Sequence, residues 1–141
     1  LSKNTAVPGA PSFRVIALTD NMALMTAWAN DTDYSNVFAA QLAPLLNAGD
    51  VLIGISCSGN SANVLNAVAL ARRRGATIIA FTGDLGGRLK PMADLCLQVP
   101  SPHIEQQEDV HLILEHAICA AIRDELARRA APSTRPVAVT P

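Results

Sequence analysis

The run Asp50-Val51-Leu52-Ile53-Gly54-Ile55-Ser56-Cys57-Ser58-Gly59-Asn60-Ser61 restricts the possible folds more than any other part of the chain. Residues 51–55 are apolar, rich in β-branched side chains and free of polar alternation, which predicts a strand buried on both faces. The strand breaks directly into three serines, a glycine and an asparagine, the residue types of tight turns and helix N-caps. Apolar residues at helical spacing then resume with Val64, Leu65, Val68 and Ala69. The first N–H groups of a helix are unpaired and carry the positive end of its dipole, so they attract an anion. Three hydroxyls beside them are the donors that a phosphate ester takes. The same serines also suit a purely structural capping role. The loop is not a Walker motif, since no Gly-Lys-Ser/Thr follows, and Gly-x-Gly-x-x-Gly is absent.

Strand and helix patterns alternate along the rest of the chain. Residues 13–19 read as a strand, and Asn21 caps a short helix through Ala29. Asn30-Asp31-Thr32-Asp33 is a turn with a cap for a helix over residues 34–47, which Gly49 ends. The helix over 61–74 closes in Arg72-Arg73-Arg74 and Gly75, with the arginines expected to be a solvated end facing the dipole. Strands are predicted over 77–82 and 95–99, a short helix over 88–93, and a long helix over 104–129 with an apolar stripe from Val110 to Leu126. This is an α/β pattern, a parallel sheet between two helical layers in a three-layer sandwich. In such folds ligands bind at the carboxyl ends of the strands. The serine loop, the loop after Thr82 and the segment after Val99 should therefore converge. One domain is expected over residues 1–130, with a loose tail at 131–141.

Composition excludes several classes of function. Formal net charge is −1 and no basic run precedes the C-terminal segment, which argues against direct nucleic-acid binding. The apolar stretches are strand-sized, so no membrane span is expected. Leu1 opens no basic start followed by an apolar block, so no signal peptide is expected. Cys57, Cys96 and Cys119 are odd in number and scattered, which predicts neither a disulfide framework nor a Cys-based zinc site. A reducing cytoplasm fits that usage.

Four segments in one order carry a family resemblance: residues 50–64, 82–89, 93–101, and 108–116 with Glu108-Asp109-Val110-His111 and His116. Together they resemble the sugar isomerase (SIS) domain, and within it the phosphoheptose isomerase branch. Asn30-Asp31 and residues 34–38 resemble the same branch. The resemblance implies a flavodoxin-like sheet and a homotetramer with active sites between subunits. It implies interconversion of sedoheptulose 7-phosphate and a heptose 7-phosphate, on the way to nucleotide-activated heptose and lipopolysaccharide. It assigns Ser56, Ser58 and Ser61 to the phosphate, with Cys57 where threonine is usual, and Asn60 in the same loop. A thiol is a weaker donor than a hydroxyl. Non-catalytic relatives, which bind sugar phosphates or act as adaptors for the replication initiator, are the alternative.

The implied chemistry is proton transfer between adjacent carbons, which needs an acid/base pair. The resemblance places one acid/base residue at His116. Its partner in the family is a glutamate on a helix after an N-terminal Gly-Gly-Ser loop, and the chain shows neither, so an N-terminally incomplete domain is expected. Some members bind zinc, and by position Glu108 and His116 match two of its ligands; a one-residue shift would put Gln107 at the first. Glu108 and His116 lie about 80° apart around a helix, and His111 and His116 about 140°, too far to share a ligand. His111 is read as a cap or cross-link of helices at a subunit contact, and His103 as solvated. Asp31 and Asp33 suit a turn and helix cap, with a sugar-hydroxyl contact as the second reading for Asp31. Trp28 and Tyr34 are read as core or interface anchors.

Overall fold

The computed structural model describes residues 1–131, so the expected tail lies outside the described residues except for Ala131. Three strands, β1 (Val51–Ser56), β2 (Thr77–Thr82) and β3 (Leu95–Gln98), form a parallel sheet in the order β1-β2-β3. Val51 lies opposite Thr77, and the register carries through to Ser56 opposite Thr82 and Thr82 opposite Gln98. The three strands therefore end in one row, and the loops that follow them leave from one edge of the sheet.

The helix α3 (Ala62–Arg73) covers the sheet face formed by Gly54, Ile78 and Ala80. Leu65, Val68 and Ala71 are buried against that face, and a large side chain so buried contributes about 1.5–3 kcal/mol. Gly54 permits the close approach: a Cβ there would stand 3.3 Å from Val64 Cγ1 and 3.4 Å from Val68 Cγ2. Leu42 and Leu89 extend the same core. The arginines at the end of α3 are exposed, as the sequence suggests, and two of them also reach backbone carbonyls. Arg72 Nη1 donates to the Met92 carbonyl at 2.6 Å, and Arg74 Nη1 donates to that of Ala43.

The helix α1 (Met22–Asp31) starts as expected, with Asn21 Oδ1 accepting from Leu24 N at 2.9 Å. The single helix expected over 34–47 is instead a 3-10 turn, Tyr34–Asn36, followed by α2 (Val37–Leu42). Pro44 explains the early end: Ala43 still keeps helical geometry and its N–H reaches Ala39 O, but Pro44 has no N–H to continue the ladder. Tyr34 is exposed and anchors no core. Residues 88–93 form only a 3-10 turn, Lys90–Met92, with Pro91 inside it.

The opposite sheet face, bearing Phe81, receives the start of α4 (Ile104–Ala130). The rings of Phe81 and His111 lie 5.7 Å apart. Helices thus stand on both sides of the sheet, as the layered pattern predicts. Coverage on this side is partial. Val51, Ile53 and Ile55 are 57%, 38% and 44% exposed. The buried residues of α4 are Gln107 and His111, while Leu112 and Ile113 of its apolar stripe are exposed.

Residues 13–19 form no strand; they run without regular structure, with Phe13, Val15 and Ile16 exposed. Their β-branched content favours extension, but a strand exists only by pairing, and among the described residues β1 pairs with β2 alone. By contact density the chain falls into two compact units. One is Ala17–Leu112, and the other, among the described residues, joins residues 1–16 to 113–131. Among the described residues no helix is long and apolar enough to cross a membrane.

Candidate anion-binding site

Ser56, the last residue of β1, is buried, and its hydroxyl is the hub of the serine loop. Ser56 Oγ lies 3.0 Å from Ser61 Oγ and 3.5 Å from Ser58 Oγ. Ser61 occupies the N-cap position of α3 but makes no side-chain cap bond, its hydroxyl facing Ser56 instead. Within the first turn, Val64 N donates to Asn63 Oδ1 at 2.9 Å. Among the described residues no acceptor meets the N–H of Ala62 or Asn63. The hydroxyls of Ser56, Ser58 and Ser61 cluster with one another, and that of Ser61 does not cap the helix. Ser58 Oγ accepts from Asn60 N at 3.1 Å, so it engages both that N–H and the Ser56 hydroxyl.

The loop is held by its neighbour, the loop after Thr82. Gly83 N donates to Cys57 O at 2.8 Å, and Leu89 N to Gly59 O at 2.9 Å. Asn60 ties both ends of the contact: its Nδ2 donates to Ser58 O at 2.8 Å, and its Oδ1 accepts from Arg88 N at 3.1 Å. A Cβ on Gly59 would stand 2.1 Å from Gly86 O, and one on Gly87 would stand 2.4 Å from Ser58 O. Only glycine at each position lets the two backbones touch. The segment after Val99 joins them through Gln107. That side chain fills the space over Gly83 and donates to Ser101 O at 2.6 Å. The predicted convergence of the three segments is present.

Cys57 does not face the hydroxyl cluster. Its Sγ lies 4.0 Å from His111 Nδ1, and His111 Nε2 lies 3.1 Å from the Thr82 carbonyl oxygen. Burial pushes the Cys57 thiol up, and the Glu108 carboxylate adds to the shift. Glu108, exposed at the start of α4, is therefore electrostatically in reach of the loop. Sequence reasoning missed the roles of His111 and Gln107, which join α4 to the strand ends. Their spacing of four, one helical turn, was the available signal.

A family model described as "SIS domain" matches residues 8–83, more than half of the chain. The chain belongs to the SIS domain family. This SIS domain is 42% identical over 116 residues to the phosphoheptose isomerase of Sulfurimonas denitrificans, a match covering 82% of this chain and 60% of the relative. It is 43% identical to that of Thermodesulfovibrio yellowstonii over 84% of this chain and 58% of the relative. Its fold superimposes on phosphoheptose isomerase from Francisella tularensis with a TM-score of 0.80 at 37% identity, covering 87% of this chain and 67% of that one. The Neisseria gonorrhoeae enzyme gives 0.74 at 44% identity, over 76% and 61%. The SIS domain here spans about 60% of the length of the curated relatives it matches.

The other candidate residues are spread out. Asp31 ends α1, where its carboxylate accepts from Asn30 Nδ2 at 3.0 Å. Asp33 accepts from Ser35 N at 2.8 Å, the cap its sequence context suggests, and that contact lowers its pKa. His116 is exposed on the part of α4 that belongs to the other compact unit. His111 is no helix cross-link; it binds a strand end. All three cysteines are free thiols. Tetrahedral zinc takes four donors, of which Glu108 and His116 are at most two. Among the described residues no group of three or more His, Cys, Asp or Glu could hold a metal ion. The residues present do not make a zinc site by themselves.

Proposed function

We propose that the chain is part of an aldose–ketose isomerase acting on a phosphorylated sugar, with sedoheptulose 7-phosphate as the substrate. The observation that carries this reading is the cluster of Ser56, Ser58 and Ser61 hydroxyls at the start of α3, uncommitted to capping and next to open N–H groups. A phosphate dianion meets there several donors and the positive end of a 12-residue helix. The match to phosphoheptose isomerases supports the choice of sugar.

In this reading the loop grips the phosphate and so fixes the sugar, bringing the reacting carbons to the same place in every encounter. A base removes the proton from the carbon beside the carbonyl, giving an enediolate, and an acid returns a proton to the neighbouring carbon. His116 is the residue proposed for one of these transfers. A cytoplasmic homo-oligomer, tetrameric and serving heptose biosynthesis, belongs to the same proposal.

The test is isomerisation of sedoheptulose 7-phosphate by the whole protein. His116→Ala is expected to lower turnover about a hundredfold or more. Ser58→Ala is expected to weaken binding of sedoheptulose 7-phosphate but not of free sedoheptulose. Wild-type turnover in the histidine variant removes its catalytic role, and equal losses for both sugars remove the phosphate role of the loop.

A further inference from the structure

We infer that His111 is a positioning residue for the anion loop: its ring holds the Cys57 thiol inward, so the loop meets a ligand with serine hydroxyls and backbone N–H groups only. This deepens, and rests on, the anion-site reading of the serine loop.

The tautomer follows from the partners. The Thr82 carbonyl can only accept, so His111 Nε2, 3.1 Å away, carries the proton. In the neutral ring Nδ1 is then a lone pair, and what faces it, at 4.0 Å, is Cys57 Sγ. The thiol therefore donates to the ring. The ring has little room to turn away, being 3% exposed and tilted at 51° against Phe81. Thr82 is the register partner of Ser56, so one imidazole bridges the ends of two adjacent strands just where the loop begins. The far side of the Cys57 peptide is held too, by Gly83 N on its carbonyl at 2.8 Å. Burial and the nearby Glu108 carboxylate keep the sulfur protonated and able to donate. A thiol so committed has no hydrogen left for a phosphate oxygen, and its contribution to binding is the placement of its own backbone.

Two readouts on the full chain test this. The first is the infrared S–H stretch of Cys57, assigned by its loss in Cys57→Ser. It is expected at the lowered frequency of a hydrogen-bonded thiol, and it should rise to the free value in His111→Gln, whose amide can still serve Thr82. The second is titration with inorganic phosphate. His111→Gln and Cys57→Ala should each weaken binding about tenfold, the worth of roughly one ordered contact. The double variant should be no weaker than either single one. His111→Asn, which sets an amide oxygen near the place of Nδ1, should recover most of the loss. An S–H band unmoved in His111→Gln, wild-type phosphate binding in that variant, or losses that simply add would each overturn the inference. A wild-type chain that takes up no phosphate overturns instead the anion-site reading on which it rests, whatever the S–H band does.

Discussion

Gly59→Ala separates two costs that a glycine can hide. Gly59 has φ +63°, in the left-handed region, where an L side chain costs about 1–2 kcal/mol. Its Cβ would also stand 2.1 Å from Gly86 O, 2.6 Å from Gly86 C and 2.9 Å from Gly87 N. These are backbone atoms, so no rotamer change relieves the clash, and one loop must move off the other. Overpacking of that kind costs about 1–3 kcal/mol. The combined expectation is about 2–5 kcal/mol. Gly75→Ala is the control: its φ is +77°, but its Cβ would meet only Ala48 Cβ, at an ordinary 3.7 Å. Gly75→Ala should cost the conformational part alone, about 1–2 kcal/mol. Both glycines lie in the same compact unit, so urea unfolding of each variant reports on the same structure, with the midpoint shifting and the slope unchanged. Gly59→Ala should also lose phosphate binding, because the displaced segment carries Ser58 and Asn60, while Gly75→Ala should keep it. Equal destabilisation by the two substitutions, with phosphate binding intact in both, would refute the interlocked-loop argument.

Glu125 accepts from Arg128 Nε and Nη2 at 2.8 and 2.7 Å and from Arg129 Nε at 2.6 Å, and these contacts lower its carboxyl from 4.5 to about 2. Because the folded value is the lower one, any stabilisation from it is present above pH 4.5 and fades as pH falls towards 2. An NMR titration of the side-chain carboxyl should place its midpoint near 2 and return it towards 4.5 in Arg128→Ala/Arg129→Ala; a wild-type midpoint already at 4.5 would contradict this. In a background lacking Cys96 and Cys119, alkylation of Cys57 should require a higher pH than an ordinary thiol does, because only the thiolate reacts. Glu108→Gln should lower that pH, and an unshifted profile would place the carboxylate out of reach. Asp94 Oδ2 accepts from Ile78 N at 2.7 Å near the start of β2. Asp94→Ala should cost about 1–3 kcal/mol by denaturant unfolding, through an N–H left without its acceptor, and Asp94→Asn should recover most of it.

The elements that the sequence announces well are those specified by local chemistry. Residues 77–82 are an apolar, β-branched run between a glycine-ended helix and a glycine-rich loop, and they form β2 with those bounds. Ser61 and Gly75 bracket α3 as turn and capping rules suggest. The misreadings arise where an element depends on a neighbour or on one proline. The same composition that makes β2 a strand leaves residues 13–19 outside any strand, since a ladder needs a neighbouring strand that periodicity does not supply. Pro44 stops α2 inside a stretch whose apolar spacing runs on to Leu45.

The serine loop itself was legible because a strand end, three hydroxyls and a helix start are contiguous in the chain. The groups that hold it in place come from elsewhere: the Arg88 N–H and the backbones of Gly86 and Gly87 are about one crossover away, and His111 is 54 residues from Cys57. Nothing in a helical histidine announces whether its ring points to solvent, and His111 and His116, five positions apart, took opposite fates, one buried and one exposed. What separates them is the strand ends, which only His111 reaches. Ser56 and Thr82 end side by side, and the Thr82 carbonyl oxygen takes two partners there, Val99 N at 3.0 Å and His111 Nε2 at 3.1 Å. The same register aligns the loop after β1 with the loop after β2. The carbonyl is already paired by the backbone after β3, so what the imidazole adds is the placement of α4 over the strand ends from which the serine loop leaves.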